Sequence, residues 1–145
     1  MCNPRGDLAL PEGDSHSDDL HSDDLHSDDL HFDDVAWLNR TINFIEEFRN
    51  HNRDVTANVI LSFLLIARYP GITSKELLRR LGLNQQGAAR TVAILSKYGD
   101  RGSEGWDVVE YMEDPNDRRQ KPLMLNARGR RLFDRLRKAM NPTRA

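Results

Sequence analysis

A five-residue acidic repeat near the N-terminus most strongly limits what this 145-residue chain can fold into. The motif HSDDL occurs three times from residue 16 and is followed by HFDDV, which ends at Val35. Neither a helix nor a strand places residues five apart on one face. Such a polar, charged segment cannot offset the entropy cost of ordering. We therefore expect residues 1–32 to form a disordered acidic tail and residues 33–145 to form one domain.

The histidines of the repeat also suggest a chemical alternative, because imidazole and carboxylate groups are ligands for zinc and nickel. Only a collapsed tail could gather them around one ion, since no regular structure aligns them. Solvated disorder is favoured over weak metal binding, and we assign no metal site and no cofactor. The histidines concerned are His16, His21, His26 and His31.

Charge is divided unevenly between the two parts. Residues 1–34 contain eleven acidic residues and one basic residue, a net charge of −10, which leaves +8 for residues 35–145. A basic domain suits a polyanionic partner such as nucleic acid. A coil of this length spans roughly 30 to 35 Å, enough to reach across a domain of this size. We hypothesise that the tail imitates phosphate charge and weakens nonspecific DNA binding, with a pH dependence from its histidines.

Several function classes are disfavoured by what the sequence lacks. The longest apolar run, residues 59–67, is shorter than the ~20 residues of a membrane span, and no secretory signal is visible. We find no nucleophile and base pair, metal cluster or phosphate-binding glycine loop, so an enzyme is not expected. His51 lies in a polar connection and is predicted to be solvent-exposed. We expect a cytoplasmic, nucleoid-associated protein without membrane contact.

Apolar spacing predicts the first two helices. Asp33 or Asp34 can cap a helix with two apolar stripes, of which the second fits either the chain's own core or a partner subunit. Asp54 precedes a second helix, apolar almost all round, which Pro70 and Gly71 end. The candidate dimer interface comprises Trp37, Phe44, Phe48, Leu136 and Met140.

Residues 73–98 have the pattern of a helix-turn-helix. Thr73 and Glu76 have the spacing of a capping box, Gly82 ends the short helix, and Asn84 can cap a second helix over 84–98. Positions 88, 92 and 95 of that helix face inward. Its outward residue types suit base recognition, because Gln pairs with adenine and Arg with guanine. A solvated polar face is the alternative, which the basic charge of the domain disfavours.

A β-hairpin is predicted over 106–125, with the turn sequence DPND at its tip and basic residues beside it. Pro122 indicates a strand near a sheet edge. Asn126 can cap a last helix rich in arginine. The fold class is therefore mainly α with a small β-hairpin wing, a winged helix-turn-helix. The candidate DNA-binding residues are Thr73, Ser74, Gln85, Gln86, Gly87, Ala89, Arg90, Lys97, Asn116, Arg118, Arg119 and Lys121.

The segments DPNDRRQKPLMLNARGRRL and ITSKELLRRLGLNQQGAARTVAILSKYG resemble the MarR family of winged-helix transcriptional regulators. The first is similar to the family's wing, through Asp117, Arg119, Leu125, Asn126 and Gly129. The resemblance implies a homodimer that reads a pseudo-palindromic operator in double-stranded DNA, usually as a repressor, and a small aromatic effector. Three features depart from the family pattern: Asn116 at the wing tip where many relatives have Arg, the polar insertion DRGSEG, and a short C-terminus. The competing hypothesis is a winged-helix module for protein–protein interaction that binds DNA weakly and nonspecifically.

Overall fold

A computed structural model describes residues 31–113, 116 and 121–142 of the chain. These residues form five helices and one three-stranded antiparallel sheet, which confirms the predicted fold class. The chain divides into two compact units, Met1–Asn39 and Arg40–Ala145. Nearly all of the predicted tail lies outside the described residues. The elements are α1 (Phe32–Arg49), α2 (Ala57–Arg68), β1 (Ile72–Thr73), α3 (Ser74–Leu81), α4 (Gln85–Leu95), β2 (Val109–Tyr111), β3 (Pro122–Leu125) and α5 (Ala127–Met140).

In the first unit, the described residues form the start of α1. The helix begins at Phe32, so the prediction that Asp33 or Asp34 precedes it was wrong. Asp34 instead lies in the first turn, where its carboxylate accepts a hydrogen bond from the His31 backbone N–H at 3.3 Å. This position still suits an acidic residue, because a negative charge in the first turn favours the helix dipole. The Trp37 side chain is exposed.

The core of the second unit is centred on an aromatic cluster. The Phe48 ring meets the rings of Phe44 and Phe63 edge to face, at centroid distances of 5.5 and 5.6 Å. Edge-to-face pairs of this kind add stability beyond the buried area. Phe44 is half-buried against the same core. The cluster joins the C-terminal part of α1 to α2.

Two residues of the candidate dimer interface belong to this core instead. Phe48 and Leu136 are 0% and 2% exposed, so they are covered by their own chain and are not on a surface that a partner could touch. The assignment was wrong because helical spacing identifies a buried stripe without showing what covers it. Met140 is half-buried at the end of α5.

Helix α2 runs through the core as predicted, but its start and its faces differ from the expectation. The Thr56 side chain caps it by accepting from the Val59 N–H, so the helix begins three residues after Asp54. Its buried face includes Phe63 and Ile66, whereas Leu61 is exposed. The helix therefore has one solvent-facing side, although its sequence is apolar almost all round.

The sheet has the strand order β1-β3-β2, with both pairs antiparallel. Pro122 therefore lies in the central strand, and its predicted position near a sheet edge was wrong. The strand tolerates proline because Pro122 is its first residue, and its carbonyl still accepts from the Met112 N–H at 2.7 Å. Strand β1 was not predicted, since two residues cannot display an alternating pattern.

Helix α5 is fixed to the rest of the unit at its N-terminus. The Asn126 side chain caps the helix by accepting from the Gly129 N–H at 2.9 Å, as predicted, and its amide donates to the Asp107 carbonyl at 2.9 Å. Gly129 is buried against the backbone of Val108. A Cβ at Gly129 would lie 2.0 Å from the Val108 carbonyl oxygen.

We expect Gly129→Ala to destabilise the protein by more than about 2 kcal/mol, because a rigid backbone atom occupies the space of the new methyl group. The sign of the change in the free energy of unfolding is informative, because Gly→Ala inside a helix ordinarily increases stability by roughly 0.5 to 1 kcal/mol. Chemical denaturation of both proteins measures the difference. Gly82→Ala, with φ of +68° but nothing within 4 Å of a new Cβ, shows by comparison the cost of backbone strain without a steric clash. A Gly129→Ala variant as stable as the wild type would contradict the close packing of α5.

Candidate nucleic-acid interface

Helices α3 and α4 form the predicted helix-turn-helix. The Thr73 hydroxyl accepts from the Glu76 N–H at 3.1 Å, and the Asn84 side chain accepts from the Gly87 N–H at 2.7 Å, so both predicted caps are confirmed. Between them Gly82 ends α3 in the left-handed region, with φ of 68°. Glycine adopts this conformation without the steric cost of a Cβ.

The second half of the predicted capping box is absent from the hydrogen bonds of the described residues. The Glu76 carboxylate does not bond back to Thr73 and instead pairs with Arg79 and Arg80 of the next turn. The hydrogen bond from Arg79 lowers the pKa of Glu76. Glu76 thus neutralises part of the positive charge of α3.

Helix α4 has two contrasting faces. Ala88, Val92 and Leu95 are buried, as predicted, and α4 ends at Leu95 rather than at residue 98. Thr91 is also buried, and its hydroxyl donates to the Gly87 carbonyl at 2.8 Å. The outward face of α4, in the sense used below, consists of Gln85, Gln86, Ala89 and Arg90, all exposed, with Gly87 half-buried beside them.

The Arg90 guanidinium has an ion-pair partner that sequence reasoning missed. Its Nε donates to the Asp100 carboxylate at 2.8 Å, with side-chain exposures of 53% for Arg90 and 23% for Asp100. The two residues are ten positions apart, across the end of α4, so no helical spacing indicates the pair. The only available signal was the polar composition of the DRGSEG insertion.

Asp100 belongs to a compact loop, residues 99–105, whose two ends touch. A Cβ on Gly99 would lie 1.8 Å from the Ser103 carbonyl oxygen, and one on Gly105 would lie 1.7 Å from that of Ser96. Only glycine permits such close backbone approach. The Ser103 N–H donates to the Asp100 carbonyl at 3.0 Å and closes the turn.

After this loop, the segment Trp106–Val108, here called the strap, runs along the C-terminal end of α4. The backbone N–H groups of Trp106, Asp107 and Val108 donate to carbonyls of residues 94, 96 and 95, at 2.9, 3.1 and 2.9 Å. Trp106 is buried in the core. The strap therefore fixes the end of α4 to the strand that begins the wing.

The remaining candidate contacts lie on the wing and at the ends of the helices. Lys121 is exposed at the start of β3, with its Nζ 5.9 Å from the centre of the Tyr111 ring, and Asn116 is exposed at the predicted wing tip. Lys97 follows the end of α4, with its Nζ 5.4 Å from the centre of the Tyr98 ring. Thr73 and Ser74 are half-buried at the start of α3, whereas Arg118 and Arg119 lie outside the described residues.

His51 is not the solvated residue that the sequence predicted. Its ring is half-buried and stacks on Trp106 at a centroid distance of 4.6 Å and an angle of 16°. Burial lowers the pKa of His51, and the nearby positive charges of Arg135 and Arg128 lower it further, against the opposing effect of Glu47. The prediction failed because the polar neighbours of His51 in sequence are not its neighbours in space.

No group of three or more His, Cys, Asp or Glu side chains in ranges 31–113 and 121–142 could hold a metal ion. None of the described helices is long and apolar enough to cross a membrane. The four-histidine metal hypothesis concerns the repeat, of which only the last unit, residues 31–35, lies within these ranges.

Several solved structures are similar in fold to this chain. A MarR transcriptional regulator from Methanosarcina mazei Go1 superposes with a TM-score of 0.52 at 18% identity, covering 74% of this chain and 70% of that one. MepR from S. aureus, solved in complex with DNA, gives 0.55 at 12% identity, covering 71% and 77%. RV1404 from Mycobacterium tuberculosis gives 0.58 at 16% identity, covering 93% and 80%. This is the MarR winged-helix fold.

No family model and no curated protein matches the sequence of this winged helix. The similarity of this chain to known proteins is therefore a similarity of fold. Between α4 and β2 of this winged helix lies the 99–105 loop, which supplies the acidic partner of Arg90.

We expect the stability of the protein to fall as the pH drops below about 6.5, in part because of His51. A lowered folded-state pKa means that the unfolded state binds the proton more readily, so unfolding gains a proton between the folded pKa and the ordinary value near 6.5. The stabilisation is complete above 6.5 and is lost as the pH falls through this window. Urea unfolding of wild type and His51→Gln between pH 8 and pH 5 measures it.

The other histidines are common to both proteins, so the difference between the two pH curves isolates His51. Parallel curves for wild type and His51→Gln would show that burial and the charges of Arg135 and Arg128 do not perturb the pKa of this histidine.

Proposed function

We propose that this protein is a sequence-specific DNA-binding transcriptional regulator, a repressor, that reads the major groove with α4. The observation that carries the proposal is the outward face of α4, where two glutamines, an alanine and an arginine are exposed together opposite a buried face. A recognition helix needs side chains of this kind near its N-terminus. Gln85, Gln86 and Arg90 supply amide and guanidinium groups for base edges, and Ala89 allows close approach.

Charge supports the same function. The sequence outside the acidic N-terminal segment has a net charge of +8, which suits the phosphate backbone. Lys97 precedes the strap in sequence and Lys121 follows it, and both side chains are exposed. We propose that both contact phosphates. Thr73 and Ser74 stand at the start of α3, where backbone N–H groups favour a phosphate. We assign the wing residues Asn116, Arg118 and Arg119 to the flanking DNA.

We propose that the regulator acts in the cytoplasm as a homodimer on a pseudo-palindromic operator. In the second unit, Ile42 and Ile45 lie three positions apart on α1, and both side chains are exposed, as is Phe133 of α5. Exposed apolar side chains of this size favour a partner surface. With Met140 they replace Phe48 and Leu136 as candidates for the interface in this unit. Two recognition helices related by a two-fold axis would read two half-sites about one helical turn apart.

Selection of bound duplexes from a randomised library tests the function directly. We expect a pseudo-palindromic consensus, and we expect Arg90→Ala to cost about 1 to 3 kcal/mol on that site and to relax one base pair of it. Lys121→Ala is the matched control for loss of one positive charge. It should weaken cognate and random duplexes equally and flatten the salt dependence of log affinity by roughly one unit.

If no sequence is enriched from the library and the protein binds DNA only weakly, the regulator function would be contradicted. The protein–protein interaction module would then be favoured. Equal losses on cognate and random DNA for Arg90→Ala would remove Arg90 from base recognition while leaving the regulator in place.

The acidic repeat is assigned to control of nonspecific binding, on the basis of its charge alone. Deletion of residues 2–30 should raise affinity for random duplex severalfold at about 50 mM salt, and less at about 200 mM, because screening weakens the competition. A full-length variant in which Asn replaces each Asp of the repeat separates charge from length and should behave like the deletion. Unchanged affinity for both variants would exclude this role.

A further inference from the structure

Arg90 reaches solvent with only one of its hydrogen-bonding edges engaged. The guanidinium group has five N–H donors in a fixed fork. Asp100 accepts from Nε alone, at 2.8 Å, and within the described part of the chain the two Nη groups make no hydrogen bond. The Arg90 side chain is 53% exposed, and its two Nη groups remain available to a ligand.

The carboxylate that holds Nε is itself fixed. Asp100 is 23% exposed, much less than Arg90, and lies in the turn closed by the Ser103 N–H and the Asp100 carbonyl at 3.0 Å. The preceding Gly99 N–H donates to the Ala93 carbonyl of α4 at 2.9 Å, so the loop is attached to the same helix that carries Arg90. The pair thus joins a side chain and a carboxylate that share one rigid support.

We propose that Asp100 is a positioning residue for base recognition by Arg90, a proposal that rests on the DNA-binding function above. By occupying Nε, Asp100 restricts rotation of the guanidinium and presents the two Nη groups end-on. That edge matches the O6 and N7 acceptors of guanine, which lie side by side in the major groove. Pre-ordering a long side chain reduces the entropy cost of binding and excludes other partners.

Asp100 also opposes nonspecific binding. A carboxylate beside the outward face of α4 repels phosphate and offsets the charge of Arg90, so it penalises every complex in which no guanine compensates. Asp100 therefore affects specificity in two ways, through the orientation of Arg90 and through repulsion. The two effects can be separated, because only the first depends on Arg90.

The test compares Asp100→Ala, Asp100→Asn and Glu104→Ala in full-length protein, on the selected consensus site, on that site with its guanine contact replaced, and on random duplex. Glu104 is an exposed acidic residue of the same loop, so its substitution removes equal charge without touching Arg90. We expect Asp100→Ala to reduce discrimination for that guanine about tenfold, within the range that one bidentate base contact contributes. Asp100→Asn keeps an acceptor for Nε and should lose less, whereas Glu104→Ala should keep full discrimination.

The double variant Arg90→Ala/Asp100→Ala completes a cycle that isolates the pair. If Asp100 acts through Arg90, the second substitution causes no further loss of discrimination once Arg90 is absent. Thermal unfolding of each variant verifies that the fold is retained. Discrimination that is unchanged in Asp100→Ala, or reduced equally in Glu104→Ala, overturns the positioning role. A wild-type protein with no preferred sequence overturns the proposed function as well, and so the two failures are distinguishable.

Discussion

The strap Trp106–Val108 is the constraint on which the rest of the second unit depends. Its N–H groups bond to the last carbonyls of α4, at 2.9 to 3.1 Å, and thereby satisfy acceptors that a helix end leaves unpaired. Val108 is central, because its carbonyl accepts from the Asn126 N–H at 3.1 Å and lies directly against Gly129. One short segment thus fixes the positions of α4, the sheet and α5.

The local elements of the helix-turn-helix could be predicted because each depends on a few adjacent residues. The capping residues act on backbone groups three or four positions away, so their roles are visible in the sequence. They are Thr73, Gly82, Asn84 and Asn126. The inward positions of α4 follow in the same way from the helical period. The likeness to solved MarR-type structures rests on this same arrangement.

Several features that sequence reasoning missed depend on contacts between residues that are distant in sequence. The stacking of His51 on Trp106 joins positions 55 apart, and β1 exists only because Ile72 and Thr73 meet β3. Phe48 was misassigned since a stripe of apolar residues does not identify what packs on it. The Arg90 partner was missed because Asp100 lies in a loop, where no periodic pattern indicates which residues meet.

The loop 99–105 has a consequence for how the proposed DNA recognition could diversify. Because Gly99 and Gly105 touch, the chain leaves and re-enters the folded unit at nearly one point. The residues between them do not belong to the hydrophobic core. Such closed excursions accept insertions and replacements at small entropic cost, since loop closure depends only weakly on length. The sequence of this loop can therefore change, by evolution or by design, without a change in the fold. Such changes would alter the side chains that lie beside the outward face of α4.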